Sequence, residues 1–187
     1  TFSYQNAVTN RATDGAAQFK LTTHTFYGQD RWDVTDELTI TAGARWDVYK
    51  TPDAPAANNS VYERTGLSNT ATMDGVGLFQ PRFSFNYDFD DKTTIRGGAG
   101  LFAGGDPLVW VSNAYSLDGV TISSFFTSDG DLIANPDFTG VPGFARDALA
   151  PGSGDVAMID PDFKLPGVWK FNLAVERYAD LGFMGDD

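Results

Sequence analysis

Residues Phe79–Gly105 read FQPRFSFNYDFDDKTTIRGGAGLFAGG, and the alternation in this stretch decides the fold. In its first arm Phe79, Pro81, Phe83, Phe85, Tyr87 and Phe89 alternate with Gln80, Arg82, Ser84, Asn86 and Asp88. A period of two sends these sets to opposite sides of a β-strand. The turn Asp90-Asp91-Lys92 follows. The second arm sets Ile95, Gly97, Ala99, Leu101 and Ala103 against Thr94, Arg96, Gly98 and Gly100. The pattern predicts a β-hairpin with one apolar, aromatic face and one polar, charged face. A soluble sandwich would bury the apolar face against a second sheet; a membrane barrel would turn it to lipid and keep the polar face for a wet interior.

Working outward, Leu38–Tyr49 repeats the pattern, with Leu38, Ile40, Ala42, Ala44, Trp46 and Val48 against Thr39, Thr41, Gly43, Arg45, Asp47 and Tyr49. Strands are predicted at about 20–34, 38–49, 79–89, 93–105 and 168–179; in the last, Trp169, Phe171, Leu173 and Val175 oppose Lys170, Asn172 and Glu176. Residues 1–19 read as the tail of a loop, 50–78 and 106–167 as long polar loops, and Asp180-Leu181-Gly182 as a short turn. Within the second loop, Val120–Thr127 has strand character and suggests a hairpin standing above the membrane.

The connections alternate short and long. Compact soluble domains rarely carry loops of this length, since most of their connections run to about 4–6 residues, whereas outer-membrane barrels combine tight periplasmic turns with long extracellular loops. Strand length agrees: eleven residues from Leu38 to Val48, at ~3.3 Å each and tilted ~40°, rise roughly 28 Å, close to the ~25 Å apolar band of such barrels. Charge phase agrees as well, with Arg45, Asp47, Arg82, Asp88 and Arg96 all on the non-apolar face; an Arg facing lipid at mid-depth costs about 2–4 kcal/mol. Asp30 is the exception, falling in phase with Phe26, Trp32 and Val34 unless a bulge or a position at the interface intervenes. Pro81 is expected at the rim, where loss of a ladder hydrogen bond matters least.

Composition narrows the function classes. The 187 residues carry 13 Lys+Arg against 25 Asp+Glu, a formal charge of -12, which argues against nucleic acid as a partner because phosphate contacts need a basic surface. Cysteine is absent, so there is no disulfide framework and no thiol chemistry. Leu108–Val111 is among the longest purely aliphatic or aromatic runs, far short of a spanning helix, so a membrane location requires a barrel. The chain begins at Thr1 with neither Met nor signal peptide and is expected to be processed or excised. The fold class expected is all-β: an antiparallel meander of long strands forming part of a transmembrane β-barrel wall.

The run from Tyr27-Gly28-Gln29-Asp30-Arg31-Trp32 through the turn Thr35-Asp36-Glu37 to Gly43-Ala44-Arg45-Trp46-Asp47 resembles the barrel signature of TonB-dependent outer-membrane receptors. Gln80-Pro81-Arg82, Arg96–Phe102 and Pro166-Gly167-Val168-Trp169 are similar to the Oar-like branch, whose members carry a carboxypeptidase-regulatory-like module. The resemblance spans Tyr27 to Tyr178 and implies a wall section of a barrel of about 22 strands closed by a plug. It also implies a bacterial outer-membrane location, contact with lipid, and active uptake of a scarce large solute, driven by the TonB complex through a plug these residues do not include. Two rivals stand beside it: a passive outer-membrane porin or adhesin, and a soluble β-sandwich binding module.

Each candidate site has two readings. Asp129, Asp131 and Asp137 head an acidic stretch of seven aspartates running to Asp162 with one base, Arg146. They could capture a cationic ligand or Ca²⁺, but the preferred reading is a solvated loop whose Asp residues start turns. Arg45, Arg82 and Arg96, with Asp47 and Asp88, are lumen-facing candidates. They could form an anionic substrate path, and the preferred reading is cross-strand pairing with Asp47, Asp88 or neighbouring carboxylates. Trp32, Trp46, Phe79, Tyr87, Phe89 and Trp169 read as interfacial girdle residues. His24 is the sole histidine and makes neither a triad nor a metal cluster. No constellation supports catalysis; neither an enzyme nor a cofactor is expected.

Overall fold

The computed structural model describes residues 1–128, 130 and 139–179. Asp129, Asp131, Asp137 and the turn expected at Asp180 lie outside these residues. The chain divides into two compact units.

One unit comprises Thr23–Val48, Val76–Asp106 and the chain from Lys164 onward. It is built on a five-stranded antiparallel sheet of β2 (Thr22–Asp33), β3 (Leu38–Lys50), β4 (Gly77–Asp90), β5 (Thr93–Ala103) and β7 (Gly167–Arg177), in that spatial order. The sheet is open. Its register explains the two-faced sequence. Ile40 stands opposite Phe85, Phe85 opposite Gly97 and Gly97 opposite Leu173; Ala42, Phe83, Ala99 and Phe171 form the neighbouring row. Directly opposed residues share a face, so the apolar sets of four strands merge into one belt. Among the described residues nothing covers it: Phe83 is 46% exposed, Trp169 54% and Phe171 75%. Phe85 is more sheltered because its ring lies over Gly97, where a Cβ would stand 2.9 Å from Cε1.

Strand β2 joins the same pattern. The Thr25 hydroxyl donates to Asp47 and the Thr39 hydroxyl to Asp33, while Gly43 packs against Gln29 between them. All three contacts fit a single register, which leaves no spare residue for a bulge. Asp30 therefore shares the apolar face with Phe26, whose ring lies 6.0 Å from that of Trp46. The bulge that would have turned Asp30 away is not there.

Pro81 sits inside β4 rather than at its start. It opposes Ala44 of β3, and that ladder continues to Val48–Gly77. On its other side, pairing with β5 begins only at Arg82–Gly100, so the proline marks where that ladder opens. At the short turn, the β4–β5 register shifts between Asp88 and Asp90, leaving Phe89 as a bulge residue edge-on to Tyr87.

The other unit comprises Thr1–Thr22, Tyr49–Gly75 and Pro107–Phe163. Here the sequence expectation needs correcting: these residues are not loose loops. Strand β1 (Phe2–Ala7) lies where a loop tail was expected, and it pairs antiparallel with β6 (Ile122–Thr127). The strand character of Val120–Thr127 is thus real, but its partner is 115 or more positions away, not a local hairpin. Helix α1 (Asn59–Thr65) and helix α2 (Leu108–Ser116) complete the unit with a helical turn at Gly143–Asp147. Asn58 caps α1 by accepting the Val61 N–H at 3.0 Å and donates to the Asp118 carbonyl at 3.1 Å. Asp118 in turn accepts the N–H groups of Val120 and Thr121. Met73, Val111, Ala114, Tyr115 and Ile159 are buried in this unit, and Phe19 stacks on Tyr115 at 4.0 Å. Among the described residues no helix is long and apolar enough to cross a membrane.

Candidate functional site

The polar face of the five-stranded sheet collects most of the side chains that can do chemistry. At the end nearest the long connections, Asp47 is 7% exposed and takes four hydrogen bonds: two from Arg45 Nε at 2.9 Å, one from the Thr25 hydroxyl at 2.6 Å and one from Gln80 Nε2 at 2.6 Å. Gln80, 2% exposed, also accepts the Ala103 N–H at 3.1 Å through Oε1. Its amide thus fills the opening that Pro81 leaves between β4 and β5 and ties β3, β4 and β5 together. Charge-assisted bonds of this kind are the stronger ones, so the cluster is a clamp on the wall.

At the end with the short turns, Arg96 pairs with Glu176 across β5 and β7, Arg31 with Asp33 at 3.5 Å, and Asp88 accepts the Thr94 hydroxyl at 2.8 Å. These groups are exposed, so each pair contributes little stability. Arg45 thus pairs within its own strand and Arg96 across to β7, while Asp88, expected as a cross-strand partner of an arginine, holds the Thr94 hydroxyl instead. Arg82 differs: its guanidinium carbon lies 4.7 Å from the centre of the Phe102 ring, and it has no carboxylate within ion-pair distance among the described residues. Lys170 Nζ approaches the same ring at 5.3 Å. An open recess of ≈ 520 Å³ lies along this part of the face.

Sequence reasoning placed Lys170, Asn172 and Glu176 on the right face but missed Gln80, Thr25 and Phe102 as participants. The Phe102 signal lies in the glycines. A Cβ on Gly100 would stand 3.0 Å from the Phe102 ring and 3.3 Å from Arg82 Cγ, so a side chain there would have to push ring and arginine stem aside where they now meet over β5. The run Gly97-Gly98-Ala99-Gly100 therefore seats rings on both faces: Phe85 on one, Phe102 on the other.

The girdle candidates Trp32, Trp46, Phe79, Tyr87, Phe89 and Trp169 are all exposed, and Trp169 stacks on Phe171 at 6.0 Å. In the loop unit, Asp160 accepts the N–H of Asp162 at 2.8 Å, which is the turn-starting role expected of that acidic stretch. No group of three or more His, Asp or Glu side chains arranged to hold a metal occurs among the described residues.

A family model described as outer membrane beta barrel domain matches residues 2–185. No curated protein and no solved structure matches the chain. The family match agrees with an antiparallel sheet whose apolar face is bare, and it sets aside the soluble β-sandwich.

Proposed function

The chain belongs to the outer membrane beta barrel domain family, and from that premise we propose that it is a wall section of a TonB-dependent transporter taking up a scarce large solute. The barrel is located in the bacterial outer membrane. In this reading the apolar belt meets outer-membrane lipid and the polar face lines the lumen. The short turns Thr35–Glu37 and Asp90–Lys92 face the periplasm, and the solute arrives from the opposite side of the membrane. Energy comes from the TonB complex through a plug outside these residues; the chain is neither an enzyme nor a nucleic-acid binder.

One observation carries the barrel part of the reading. The register merges the apolar sets of β3, β4, β5 and β7 into a single uncovered face, with Arg45, Asp47, Arg82, Asp88 and Arg96 on the other. A five-stranded sheet falls short of the eight strands of the smallest such barrels, so these strands form part of a larger wall. Support for the TonB-dependent part comes from the run Tyr27–Asp47, which folds as the β2–β3 hairpin with its Trp32 and Trp46 on the apolar face and Arg45 clamped to Asp47.

The test is energy dependence. Cells relying on the full-length protein for a limiting nutrient should stop growing when TonB is deleted, and liposomes containing the purified protein should stay closed to small sugars. Growth that ignores TonB, together with free passage of sugars, would instead identify a passive porin.

A further inference from the structure

We propose that the cross-strand row Arg82–Gly100–Lys170 is an anion-binding station for a soluble solute bearing carboxylate or phosphate groups. The inference rests on the polar face lining the lumen, as in the reading above, and deepens it by naming a substrate class.

The geometry begins with register. Arg82 stands opposite Gly100, and Gly100 opposite Lys170, so the two cations spring from strands about 10 Å apart with no side chain between them. Into that gap folds the Phe102 ring, 4.7 Å from the Arg82 guanidinium carbon and 5.3 Å from Lys170 Nζ. A ring face attracts cations without neutralising them. It holds the two charges in place and leaves their N–H groups free to bind an anion.

The contrast with the other cations on this face makes the row informative. Arg31 has Asp33, Arg45 has Asp47 and Arg96 has Glu176. Arg82 and Lys170 have no carboxylate within 4.0 Å among the described residues, in a chain where acids outnumber bases 25 to 13. The neighbouring row repeats the plan with neutral groups: Ser84 and Asn172 flank Gly98. Both rows line the same ≈ 520 Å³ recess, together with Phe83, Phe102 and Phe171, so it offers two positive charges, a hydroxyl and an amide beside apolar surface. Such a lining suits an extended oxyanion, for which charge-assisted bonds supply the affinity, and repels a cation.

The test uses the full-length protein in detergent and tripolyphosphate as the probe, titrated calorimetrically at low and physiological salt. The wild type should bind, more weakly as salt rises. Arg82→Gln/Lys170→Gln should weaken binding by about tenfold or more. Arg31→Gln/Arg96→Gln, which removes the same two charges from the same face, should change it by no more than about twofold. The charge-keeping Arg82→Lys/Lys170→Arg should retain binding and guards against loss through misfolding. Absence of binding to the wild type, or equal loss in the two glutamine variants, overturns the station. TonB-dependent growth is read separately, so a barrel that needs TonB yet ignores the probe defeats this inference alone.

Discussion

The side-chain amide of Gln80 donates to Asp47 Oδ2 at 2.6 Å, joining two buried polar groups on adjacent strands. It does so next to Pro81, where the β4–β5 ladder stops, and its carbonyl takes up the Ala103 N–H that the ladder no longer serves. Gln80→Leu removes both bonds while keeping volume, leaving a backbone donor and a buried carboxylate each short of a partner. The expected loss is about 1–3 kcal/mol, measured as a lowered urea midpoint for the protein in lipid vesicles. An unchanged midpoint would contradict the clamp.

Asp30 shares a face with Phe26 and Trp46, the face proposed to meet lipid. Asp30→Leu should raise the unfolding midpoint, by less than the ~2–4 kcal/mol that an Arg or Lys costs at the bilayer midplane. A fall in midpoint would mean that the carboxylate has a partner on a neighbouring strand or lipid.

Gly97 is small because the Phe85 ring covers it. Gly97→Val drives a branched side chain into that ring, and overpacking of this kind costs about 1–3 kcal/mol. Ala99, one row away on the same face and opposite Phe83 and Phe171, should tolerate Ala99→Val better. Ranking the two variants by urea midpoint checks the placement; equal effects would count against it.

In the loop unit, Asn58 both caps α1 and donates to the Asp118 carbonyl. Asn58→Ala should cost about 1 kcal/mol from the cap alone and more from the stranded buried partners. Amide exchange should speed up at Val61 and in the Asp118–Thr121 turn while leaving the Ile40 and Phe85 amides of the sheet unchanged. Uniform acceleration in both places would contradict an independently organised loop unit.

The sheet was legible from sequence because a period of two is written into each strand separately: Ile40, Phe83, Phe85 and Trp169 announce their face without reference to any partner. Its charged pairs were only half legible. Arg45 and Asp47 sit two apart in one strand, so their pairing follows from local geometry, whereas Arg96 with Glu176 depends on which strand becomes the neighbour of β5. The loop unit was not legible. Its β1–β6 pairing joins Phe2 to Thr127, and the short helices α1 and α2 carry too few turns for a 3.6-residue period to stand out. Composition rich in Pro, Asn and Gly reads as loop even where Asn58, Asn69 and Asp118 are buried as hydrogen-bonding centres. Phe102 went unnoticed because alternation sets it among the polar side chains beside Gly100, and what its ring packs on there depends on which strands flank β5.

Which way β4 turns its side chains decides whether the sheet is a barrel wall, and the chain has no cysteine to interfere with a direct reading. Single cysteines placed in turn at Arg82, Phe83, Ser84, Phe85, Asn86 and Tyr87 can carry a fluorophore in the full-length protein reconstituted into vesicles. A quencher dissolved in the acyl chains should act on positions 83, 85 and 87, and a water-soluble quencher on 82, 84 and 86. Uniform quenching along the strand, or the opposite alternation, would contradict a wall with lipid on its aromatic face.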